Sequence, residues 1–109
     1  MAGAPYRADV ALSDDATFEL PPVEIAVADG TAFPFGDYAF EYSVAGLPLF
    51  TQADGIAVQA DQNAIVISRP TARLPVGRYP HGLRYREIAT GRVSQLFDGT
   101  LTITEGNFR

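Results

Sequence analysis

Between Tyr38 and Val44 the chain alternates without a break: Tyr38, Phe40, Tyr42 and Val44 fall on one face, and Ala39, Glu41 and Ser43 on the other. A period of two predicts a strand with one buried face. The same rhythm runs through Val23, Ile25 and Val27 before Asp29-Gly30, and through Ile56, Val58 and Ala60 after Asp54-Gly55. The continuous Ile65-Val66-Ile67 suits a strand covered on both sides. Thr17 to Leu20 and Leu47 to Gln52 are shorter candidates. The longest pattern comes last. Arg78 to Ile88 sets Tyr79, His81, Leu83 and Tyr85 against Arg84 and Arg86, Ala89 to Arg92 makes a turn, and Val93 to Thr104 returns. Asp98-Gly99 predicts a bulge in that return strand.

Seven to eight short strands, divided by turn residues and with no stretch of helical period, predict an all-β fold. That pattern suits a β-sandwich or a small barrel, and the expected architecture is an antiparallel β-sandwich. Residues 69–76, with two prolines, predict a crossing loop between sheets, with at most one helical turn near Leu74. Residues 1–15 are small and polar around Tyr6, Val10 and Leu12, and read as a flexible N-terminal arm ahead of a single domain over 16–109. A chain of 109 residues holds one modest core, which the 7 Phe and 5 Tyr supply.

Charge sharpens the surface. The formal net charge is -5, yet residues 1–61 carry ten acidic side chains against Arg7 alone, and residues 62–109 carry three against seven arginines. An acidic chain lacks the basic face that phosphate neutralisation needs, so no direct nucleic-acid partner is expected. If the two halves segregate in space, one copy's negative patch meets the next copy's positive one, which favours a homo-oligomer. No apolar run reaches the length of a membrane span and residues 1–12 lack a signal core, so no membrane partner is expected.

Candidate chemistry is sparse. With no cysteine, thiolate nucleophiles and thiolate metal sites are excluded. His81 is the only histidine, and its place among Tyr79, Leu83 and Tyr85 marks it as a packed residue rather than a general base. Asp29, Asp54 and Asp98 each precede glycine, where aspartate serves turn geometry. No glycine-rich phosphate loop, dinucleotide fingerprint or EF-hand spacing is present, so neither a cofactor nor a metal is expected. The expectation is a protein that is not an enzyme. Its candidate interface residues are Tyr6 and Arg7, as anchors of the arm, and Arg84, Arg86 and Arg92, as a basic face for an acidic neighbour. An alternative is a carbohydrate-binding or adhesion sandwich, in which exposed aromatics stack on sugars.

Residues 74–109 carry a pattern of their own. Leu74, Pro75, Gly77 and Tyr79 open it, Gly91 sits in the hairpin, Leu96, Phe97, Gly99, Leu101 and Ile103 close it, and Arg109 ends it. This resembles small tailed-bacteriophage virion structural proteins with an immunoglobulin-like sandwich, and is similar to the amino-terminal module of upper baseplate proteins. The resemblance implies a non-enzymatic part of a particle, either capsid decoration or tail and baseplate attachment. It also implies capsid or tail proteins as partners, and a product made in the host cytoplasm and carried in the virion.

Overall fold

The computed structural model describes residues 6–25, 30, 33–70 and 72–106. The alternating segments become strands: β1 (Tyr6–Arg7), β2 (Val10–Ser13), β3 (Val23–Glu24), β4 (Tyr38–Val44), β5 (Phe50–Thr51), β6 (Ile56–Gln59), β7 (Ala64–Ile67), β8 (Gly77–Glu87) and β9 (Val93–Thr104). They form two sheets, one ordered β1-β9-β8-β4-β5 with β2 also on β9, the other β3-β7-β6. This is the all-β sandwich that the periodicity predicts. Short 3-10 turns occur at Phe35–Asp37 and Ala60–Gln62, while Leu74 lies in irregular chain. Val27, Asp29 and Arg109 lie outside the described residues.

The core sits between the sheets. Phe40, Tyr42 and Val44 of β4, Leu83 of β8 and Phe97, Leu101 and Ile103 of β9 face Ile56, Ile65 and Ile67 across the sandwich. Each such side chain contributes about 1.5–3 kcal/mol by leaving water. Phe18, Leu20, Phe50 and Leu74 close the sides. One polar clamp joins the sheets at their rim: the Arg69 guanidinium donates to the carbonyls of Pro48 and Leu49 and to the Asp54 carboxylate, and lies 3.7 Å from the Phe50 ring centre. Gly55, at φ +103°, lets the β5–β6 turn close on that ring, since a Cβ there would stand 2.5 Å from it.

Two expectations are corrected. From Tyr6 onward the segment read as an arm is part of the larger sheet. β1 and β2 run parallel to β9 at one constant offset, Tyr6 opposite Phe97 and Ser13 opposite Thr104. Val10 and Leu12 pack on the core, and the ladder satisfies backbone groups of β9 that would otherwise face water. The bulge also moves. The register shift lies between Leu83 and Arg84, opposite Leu96, and the ladder is regular at Asp98 and Gly99. Gly99 answers to a different constraint: residues 8 and 9 cross over it, and a Cβ would stand 2.2 Å from the Ala8 carbonyl oxygen.

Candidate functional site

His81 lies on the inward face of β8, paired with Gly99, and is 5% exposed. The space over Gly99 admits the Ala8–Asp9 backbone, and His81 Nε2 donates to the Ala8 carbonyl at 2.6 Å. A carbonyl only accepts, so in the neutral ring Nδ1 is left to accept the Tyr42 hydroxyl at 2.8 Å. Burial pushes that hydroxyl well above the usual tyrosine range. Beside it, Asp9 accepts the Thr100 N–H at 2.9 Å and the Arg7 guanidinium at 3.0 Å. The Arg7 hydrogen bond, then the Thr100 one, hold the Asp9 carboxyl below its ordinary range. Both nitrogens of the one imidazole are therefore committed: Nε2 fastens the β1–β2 crossing to the long hairpin, and Nδ1 ties β8 to Tyr42 of β4.

The residues singled out from sequence do not gather. Tyr6 stands exposed at the sheet edge, and Arg7 is taken up by Asp9. Arg84 points to the outer face of the larger sheet, where Glu41 on the neighbouring strand binds it at 2.7 Å. Arg86 shares that outer face, one rung on, beside Ala39 and Val93. Arg92 does not. The hairpin turn aligns it with Glu87, so it lies on the inner side beside Tyr38, Tyr85 and Ser94. The three arginines thus divide between two faces. Of these, Arg86 and Arg92 make no side-chain hydrogen bond or ion pair with the described residues.

What brings them close is the end of the β8–β9 hairpin, and its apolar residues had not been singled out. Ile88 and Val93 flank the turn at 59% and 52% exposure. Tyr38 and Tyr85, half-buried and edge to face at 5.2 Å, form the inner shelf beneath Arg92. Tyrosine and arginine are enriched at protein contact centres, and the two exposed aliphatics add apolar area beside them. The signal was present in the sequence as aliphatics on both sides of a glycine turn, Ile88 and Val93 around Gly91, where a solvated hairpin would carry polar residues.

A second feature lies on the outer face. There Ser43, Gly82 and Asp98 make one rung across β4, β8 and β9, and the missing side chain at Gly82 leaves a depression of about 380 Å³. Glu41, Leu49 and Pro80 stand in its walls together with Gln95 and with Arg84, whose charge Glu41 balances. Among the described residues no three acidic or histidine side chains are placed to hold a metal ion, and no helix is long and apolar enough to cross a membrane. No protein-family model matches the chain, and neither a curated protein nor a solved structure matches it.

Proposed function

We propose that this chain is a non-enzymatic structural component of a tailed-phage particle, acting through protein–protein contacts as capsid decoration or as a tail or baseplate attachment module. The observation that carries the contact reading is the hairpin end, where Ile88, Val93, Arg86 and Arg92 are exposed on strands that β4 flanks as far as Glu87. The commitment of His81 to Tyr42 and Ala8 agrees with it, because the best general-base candidate is already consumed by the fold. The virion assignment rests on the resemblance in residues 74–109. Its partners on this reading are other virion proteins, and it is present in many copies.

Mass spectrometry of particles purified from the host that carries the gene tests the assignment. The expected result is the chain at a fixed copy ratio to the major capsid or tail protein. Its presence in the lysate and absence from purified particles overturns the reading.

A further inference from the structure

The hairpin end and the outer-face depression are complementary in both shape and charge. The depression is concave, walled on its apolar side by Leu49, 43% exposed, and by Pro80. Across it stands the Asp98 carboxylate, which has no hydrogen-bond or ion-pair partner among the described residues, while Glu41 is already held by Arg84. The hairpin end is convex, with Ile88 and Val93 exposed and the guanidinium groups of Arg86 and Arg92 without partners among the described residues. Two acids stand near them: the Glu87 carboxylate accepts the Thr90 hydroxyl at 2.6 Å, and Asp37 lies on the neighbouring 3-10 turn.

We infer that the depression is a docking site for a second copy of this chain, which inserts its hairpin end: Ile88 against Leu49 and Pro80, and Arg86 or Arg92 onto Asp98. The two surfaces are different parts of one molecule, so the contact is heterologous. A copy that has used its hairpin end still offers a depression, and association runs head to tail into a ring or a filament. This inference rests on the reading of the chain as a contact module and deepens it by naming the partner.

The experiment uses two surface variants of the full chain. Ile88→Asp disables the hairpin end, and Ser43→Tyr fills the depression from an exposed strand position. Light scattering after size exclusion, over a concentration series, is expected to give a wild-type mass rising above the 11.7 kDa of one chain. Each variant alone should stay at the mass of one chain. Mixed in equal amounts, they should form a one-to-one pair and nothing larger, because only one sound surface of each kind remains. Added salt should weaken the pair. Matching urea unfolding curves establish that the variants are folded. A wild-type chain that stays monomeric to its solubility limit overturns the inference, as does either variant that assembles alone like the wild type. A chain found in particles yet monomeric in solution sinks only this inference, and one that self-assembles but is absent from particles sinks only the virion assignment.

Discussion

The two halves of the β8–β9 hairpin have opposite characters. Around His81 and Gly99 the strands are covered: a third strand runs beside them, a backbone crossing presses onto the glycine, and the imidazole uses both nitrogens. Around Ile88 and Val93 the same two strands end in apolar and cationic side chains facing water. The first region is specified by contacts that leave no room for substitution. The second is held up by the first and is free to vary or to bind. A long hairpin lets one end supply stability while the other is kept for contact.

The sharpest way to break this contrast is Gly99→Ala. The added methyl meets backbone rather than a flexible side chain, so either β1 lifts from β9 or the hairpin distorts. The expected cost is roughly 2–4 kcal/mol in urea unfolding. Amide exchange should report the same event, with the Ala8 N–H losing its bond to the Asp98 carbonyl. An unchanged midpoint would mean that the crossing is not packed against Gly99 in solution.

Next in size is the relay through His81. His81→Ala orphans the Tyr42 hydroxyl and the Ala8 carbonyl and leaves a void, for about 3 kcal/mol. Tyr42→Phe removes only the donor to Nδ1, for about 1–2 kcal/mol. If the relay is one unit, Tyr42→Phe costs less when His81 is already alanine, with a coupling of about 1 kcal/mol in a double-mutant cycle. Strict additivity would show that the two side chains act independently.

These positions also mark how far the sequence could be read. Period two placed β4 and the long hairpin, because each buries a face whose alternation survives in the local order of residues, and a continuous apolar run placed β7. It missed β1 and β2 because their partner is β9, at the other end of the chain, and a pairing between the two termini leaves no local trace. Gly99 read as a bulge, since aspartate before glycine is a local turn signal, whereas its cause is a segment 90 residues earlier in the chain pressing from above. The contact surface was legible by composition but not by face. Register decided that Arg84 lies beside Glu41, and the hairpin turn set Arg92 on the opposite face from Arg86.

At the exposed end the expectation is a small effect. Ile88→Ser and Val93→Ser should each change the unfolding free energy by no more than about 0.5 kcal/mol, because both residues stay more than half exposed in the single chain. A larger loss in dilute, monomeric protein would mean that the hairpin end helps to hold the fold, and the division of labour would fail.

The smallest effect separates the two ends by pH. The Asp9 carboxyl is held below its ordinary range, first by the Arg7 guanidinium and then by the Thr100 N–H, so its ionised form favours the docked strand. A lowered folded-state value means that the contribution is present above the unfolded carboxyl value of about 3.9 and is lost as the pH falls through the folded one. Amide exchange at Thr100 and Ala8 should therefore quicken below about pH 4, while the β8–β9 amides near the turn keep their profile. Asp9→Asn separates the charge from the hydrogen bond, because its amide oxygen still accepts from Thr100 but cannot titrate. In that variant the acid step at Thr100 should flatten. An identical step in both proteins would assign the acid sensitivity of this edge to another carboxylate and remove Asp9 from the fastening of β1 and β2.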